Sequence, residues 1–168
     1  MATKLKKGAK QGDNVGVRGF FRVQLSESGR GIVGDSGWVE NQVTNDGIRD
    51  YLVSSLIGAA AGSVVTHMAL GTGGAPAATD NIIAGELTHA SDARKTVSTS
   101  IVSSKTAQFT AAFNSADSFV TATANISNVG LFRTSTTNTS SMFAGNTYAS
   151  SSCATNQNVN VTYQIRFS

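Results

Sequence analysis

Proline and cysteine each occur once, tryptophan once and histidine twice, and charged residues make up only 14% of the 168 positions. Each scarcity closes off a class of protein. The lone Cys153 cannot form an intrachain disulfide or a cysteine-rich zinc site, and is expected to be a buried small residue. The two histidines, His67 and His89, would need Glu86 or Asp92 to hold a metal, and no tight ligand spacing joins them. No metal and no cofactor are expected. Charge this sparse, against ~25% in soluble domains, does not suit long solvated helices. Long apolar runs are also missing. The one extended low-charge stretch, Leu52–Leu70, is broken by Gly58, Gly62, several serines and His67, so no membrane span is expected. The basic start is not followed by an apolar run, so no secretory signal is expected either.

What is present is serine, threonine, glycine and short apolar runs, in a length suited to one domain. The net charge of +3 is concentrated in Lys4, Lys6, Lys7 and Lys10. Two readings of residues 1–17 stand: a solvated terminus, or an extended arm that orders against an acidic partner. Nucleic acid is the weaker partner, because no aromatic residue is interleaved with the lysines.

Residues 18–168 read as a single domain. In Arg18–Leu25 the alternation sets Phe21, Val23 and Leu25 on one face and Phe20, Arg22 and Gln24 on the other. Ser28–Gly31 reads as a turn, followed by a second strand region over Ile32–Val43 with Trp38 and Val43 as anchors. A short helix over about 44–57 is predicted, capped by Thr44, Asn45 or Asp46 and ended by Gly58. Its apolar stripe would be Ile48, Tyr51, Leu52, Ser55 and Leu56. Further strands are predicted at Val64–Leu70, Lys95–Val102, Lys105–Phe113, Phe119–Ala124, Ile126–Arg133 and Met142–Tyr148. Thr134–Ser141 and Ala149–Gln157 read as exposed polar loops. The last strand alternates most regularly, with Val159, Val161, Tyr163, Ile165 and Phe167 on one face. Closely spaced strands without βα alternation predict a mainly β fold: an antiparallel β-sandwich or jelly-roll with one short helix.

Catalytic patterns are weak. Gly71, Gly73 and Gly74 follow a strand, but the run lacks the Lys-Ser/Thr of a triphosphate loop and the third glycine and helix of a dinucleotide site. The structural reading is a turn with positive φ at one or more of these glycines, Pro76 fixing its exit and Asp80 bonding local amides. No GxSxG elbow occurs and no carboxylate pair stands out, so an enzyme is not expected. Glu86 and Arg94 read either as an ion pair pinning the chain after the turn or as two solvated charges.

Several pieces together resemble a family of small virion structural proteins of tailed bacteriophages: Val43–Leu56, Met68–Asp80 (MALGTGGAPAATD), the Glu86/Arg94 pair, Asn128–Phe132 (NVGLF) and the alternating terminal strand. The resemblance spans about residues 38–168 and implies a virion component, either capsid-associated or tail-associated. The leading expectation is a capsid decoration, or cement, protein on the capsid exterior, a homotrimer that binds the major capsid protein and stabilises its lattice. The contacts expected with the capsid are Lys4, Lys6, Lys7, Lys10, Arg18, Phe20 and Arg22, with Gly71, Gly73, Gly74, Pro76 and Asp80 shaping an oligomer contact. The alternative is a tail-appendage or host-adhesion module whose exposed loops bind a receptor or glycan.

Overall fold

The computed structural model describes residues 15–58, 64–88 and 94–168, with only the backbone given for Ser150 and Ser151. The leader lysines and His89 lie outside the described residues. Ten strands occur among the described residues: β1 (Val17–Glu27), β2 (Gly31–Asp35), β3 (Val39–Val43), β4 (His67–Gly71), β5 (Lys95–Thr96), β6 (Ser98–Ser103), β7 (Thr106–Phe113), β8 (Ala124–Phe132), β9 (Met142–Cys153) and β10 (Gln157–Phe167). All their pairings are antiparallel.

The order across the sheet is β5-β4-β8-β9-β3-β1-β10-β7-β6, with β2 added to β1. The two ends of that order are neighbours in the chain, separated by Val97 alone. Lys95 pairs with Met68 of β4, while Ser98 already pairs with Thr110 of β7. The second corner is β3, whose Val39–Asn41 pair with β1 and whose Gln42 and Val43 pair with β9. Two corners thus join the two layers into a flattened, nearly closed barrel, the expected β-sandwich. The single strand predicted over Lys95–Val102 is two strands, because at Val97 the chain changes layers and the Val97 amide donates to the Thr66 carbonyl at 3.0 Å.

The alternating strands face the interior as their patterns require. Phe21, Val23 and Leu25 of β1 and Val159, Val161, Tyr163 and Ile165 of β10 are buried, and Phe21 stacks on its cross-strand partner Tyr163 with ring centroids 5.6 Å apart. From the other layer Met68, Leu70, Val129, Leu131 and Phe143 meet them. That layer is covered outside as well. Residues 72–88 fold back over it, and Ala69, Ile83, Phe132 and Met142 form a second, smaller core. A strand buried on both faces loses its alternation, which is why β4 reads as an unbroken apolar run.

Four expectations are corrected. Residues 119–123 are not a strand; Phe119 and Val120 instead plug the core after a 3₁₀ turn at Ser115–Asp117. Ala149–Gln157 is not a loop, since β9 runs to Cys153 and pairs with β8 from Ala124 onward. The run of small residues there favours a pleated ladder as readily as a turn. Trp38 does not anchor the core but stands 46% exposed on the outside. The helix is present, and Thr44 caps it by accepting from the Gly47 amide at 2.9 Å. Its first part, Gly47–Val53, is a π-helix, followed by an α-helical turn at Ser54–Leu56. The wider i→i+5 winding turns Tyr51 inward and leaves Ile48 and Leu56 exposed, so the stripe read at α-helical spacing does not hold. Gly58, at φ +70°, ends it as expected. Cys153 is fully buried, and burial holds its thiol above the ordinary range.

Candidate interaction surfaces

The glycine-rich turn works differently from its sequence reading. None of Gly71, Gly73 and Gly74 has positive φ; the left-handed residue is Gly85, at φ +64°, on the segment that packs against them. These glycines are there for close approach. A Cβ on Gly71 would lie 2.2 Å from Asn128 Oδ1, and one on Gly73 would lie 2.3 Å from the Ala84 Cβ. Gly74 has open space. The Thr72 and Gly73 amides donate to the Gly85 and Ala84 carbonyls, both at 3.0 Å. Pro76 is buried, and Asp80 accepts from the Ala77 amide at 2.8 Å, as the turn reading required. The loop lies flat on its own barrel; of Gly71, Gly73, Gly74, Pro76 and Asp80, only Gly74 and Asp80 are exposed.

Glu86 and Arg94 form an ion pair with both side chains fully buried. Arg94 Nε reaches Glu86 Oε1 at 2.6 Å and Nη2 reaches Oε2 at 3.1 Å. The remaining donors go to Thr134 Oγ1 and Ser141 Oγ at 3.1 Å and to the Thr139 carbonyl at 3.0 Å, and the guanidinium lies 3.5 Å over the Phe132 ring. Thr134–Ser141 is therefore a pinned loop, with Glu86 also accepting from the Asn138 amide at 3.0 Å. This cluster is a structural clip without an open position for substrate.

The outer face of β1 and β10 brings Arg18, Phe20 and Arg22 together with residues the sequence did not single out. Arg22 is neutralised by Asp35, through Nε at 2.9 Å, and the hydrogen bonds from Arg22 and the Gly37 amide hold the Asp35 carboxyl well below its usual range. Arg18 faces Glu40 at 4.0 Å. Phe20 lies under the Arg166 guanidinium at 4.4 Å, and Trp38 stands 5.8 Å from it. Gln164 Oε1 accepts from Arg166 Nη2 at 2.8 Å and Nε at 3.2 Å, and its amide donates to Gln108 at 2.9 Å. Arg166 belongs to the outward set of the best-alternating strand, two places from the residue that faces Phe20; that diagonal was the available signal.

A second surface is apolar. A cleft of about 600 Å³ opens between the helix and the corner at Val97, lined by Tyr51, Leu52, Val65, Val97, Phe109 and Phe167. Bulky side chains stand free near it: Leu56 is 86% and Ile57 73% exposed. At the β6–β7 hairpin Ile101 is 86% exposed. Tyr51 donates its hydroxyl to the Ser141 carbonyl, and burial raises its pKa, which leaves it a poor acid. His67 is half-buried, with Nδ1 2.7 Å from Thr66 Oγ1; burial, then Arg94, lowers its pKa and keeps it neutral. Among the described residues no three His, Cys, Asp or Glu side chains converge as metal ligands, and no helix is long and apolar enough to cross a membrane.

Against known protein families, curated proteins and solved structures, the chain matches none.

Proposed function

We propose that this protein is a virion structural component, a decoration protein that binds the major capsid protein of a tailed phage and reinforces its lattice. The observation that carries the reading is the division of its surface. A rigid barrel neutralises most of its charges internally, yet leaves bulky apolar side chains on the helix, the β6–β7 hairpin and Trp38 open to contact. Surfaces of that kind suit broad contact with neighbouring proteins. The helix and the adjoining cleft form the face that further copies would cover in a symmetric trimer, and the outer face of β1 and β10 is left for the capsid. An interface of about 1,600 Å² is ample for a stable contact, and repetition on a lattice multiplies it. The run MALGTGGAPAATD, which carries the resemblance, is used in packing: Met68 and Leu70 enter the main core and Ala69 the smaller one. Its oligomer role gives way here to packing, apart from exposed Gly74 and Asp80.

At Gly16 the chain lies beside the end of β10, exchanging hydrogen bonds with Ser168 at 3.2 and 3.0 Å. Lys4, Lys6, Lys7 and Lys10 precede this point in the sequence and are the proposed grip on acidic capsid surface. A chain lacking residues 2–14, which spares β1, is expected to lose most of its co-sedimentation with empty capsids. Full retention would reject the arm as the grip, and a virion holding six to eighteen copies instead of hundreds would reject the shell assignment.

A second reading, a tail-appendage or host-adhesion module, is favoured by one feature. A shallow groove of about 350 Å³ is lined with hydroxyls and amides from Ser98, Thr110, Asn114, Asn160 and Thr162, beside Lys95. Binding of the isolated protein to host cells, inhibited by sugars, would select it.

A further inference from the structure

We propose that Arg166, held between Phe20 and Trp38, is the anchor by which the outer face of β1 and β10 binds a carboxylate on an acidic protein surface. The inference rests on the capsid-binding reading and names the residues and chemistry of that contact.

Most of the described basic side chains have a carboxylate partner. Arg22 has Asp35, Arg18 has Glu40, Arg30 has Glu27, Arg49 has Asp46 and Asp50, Arg94 has Glu86 and Lys95 has Asp117. Among the described residues Arg166 contacts no carboxylate. It is nonetheless held in place, by a chain of side chains running from Gln108 through Gln164 and by two rings. A planar cation fixed in advance loses little entropy on meeting an anion, and its fork matches a carboxylate. Arginine and tryptophan are also the side chains that most often dominate protein interfaces.

The charge around it points the same way. Arg18 stands directly opposite Arg166 in the β1–β10 register, on the same face. Like charges so placed oppose folding. The Lys105 turn lies alongside, its carbonyl accepting from the Phe167 amide at 2.9 Å. Residues 18–168 carry nine basic and nine acidic side chains, so this end is positive only because the charges are gathered there. An acidic partner relieves that repulsion. A phosphate backbone fits less well, because Asp35 and Glu40 lie on the same face and Trp38, Ile32 and Val33 give it an apolar rim.

The test uses the full chain at physiological salt and three probes: a glutamate–tyrosine copolymer, polyglutamate and a short DNA duplex. The copolymer is expected to bind best. R166Q is expected to weaken it about tenfold, W38A several-fold, and R166K to restore only part, since lysine lacks the fork. Melting curves matching the parent show that each variant is folded. Equal copolymer binding by R166Q and the parent, or tighter binding to DNA than to the copolymer, overturns the proposal. Capsid co-sedimentation that R166Q leaves intact also overturns it while the capsid assignment stands. Arg166-dependent copolymer binding without capsid co-sedimentation upholds it and rejects that assignment.

Discussion

Two arginines in this protein lie over phenylalanine rings, and their surroundings are opposite. Arg94 sits 3.5 Å above Phe132, fully buried, its donors shared among a carboxylate, a carbonyl and two hydroxyls. Arg166 sits 4.4 Å above Phe20, exposed, with one side-chain amide oxygen as its partner. The same side-chain pair therefore serves two ends. Where water is excluded, every donor must be satisfied, and the arginine becomes a staple between the Glu86 segment and the 134–141 loop. Where water remains, a half-satisfied guanidinium costs little and stays available to a partner.

The sharpest way to break this comparison is to cut the buried member. R94A leaves Glu86 charged and unpaired in the interior and is expected to lower stability by about 3–5 kcal/mol in urea unfolding. The paired change R94M/E86L removes both charges and is expected to recover most of that loss; a double variant no better than R94A would show that the clip acts through something other than charge pairing.

Next in size is the floor on which the clip rests. G73A drives a methyl into Ala84 and is expected to cost about 1–3 kcal/mol, whereas G74A, facing open space, is expected to stay within about 0.5 kcal/mol of the parent. Equal effects at the two positions would contradict the close approach described above. For the exposed member, R166Q is expected to change stability by no more than about 0.5–1 kcal/mol, the size of an exposed cation–π contact. A loss comparable to R94A would make Arg166 structural.

The smallest effect belongs to His67, beside the buried layer. Its pKa in the folded state is below the ordinary value of 6.5, so the unfolded chain binds more protons as pH falls. Stability contributed by the neutral ring is full above that value and declines as pH drops through it toward the depressed folded value. H67Q is expected to flatten that part of the stability–pH curve, and an unchanged slope would show that His67 is not its source.

Much of the fold was legible in the chain. β1 and β10 were readable because each has one wet and one dry face, and the turn at Ser28–Gly31, the cap at Thr44 and the stop at Gly58 follow from local chemistry. β4 and the second half of β8 were harder, because both of their faces are covered and alternation disappears. Glu86 and Arg94 were readable as a possible pair but not as a buried one, since burial depends on Phe132 and on a loop 40 residues downstream. Of the candidate contact face, Arg18, Phe20 and Arg22 came from alternation, while Trp38 and Arg166 joined them only through sheet pairing.

Local pattern and composition by themselves settled that this is an antiparallel β protein with a basic leader, because side-chain period and backbone preference act between near neighbours. Which strands meet, that the sheet closes on itself at Val97, that the helix winds as a π-helix and that one arginine is sealed while another stays open were decided by tertiary structure. Those outcomes depend on distant segments competing for the same buried volume, and no short stretch of chain holds that information.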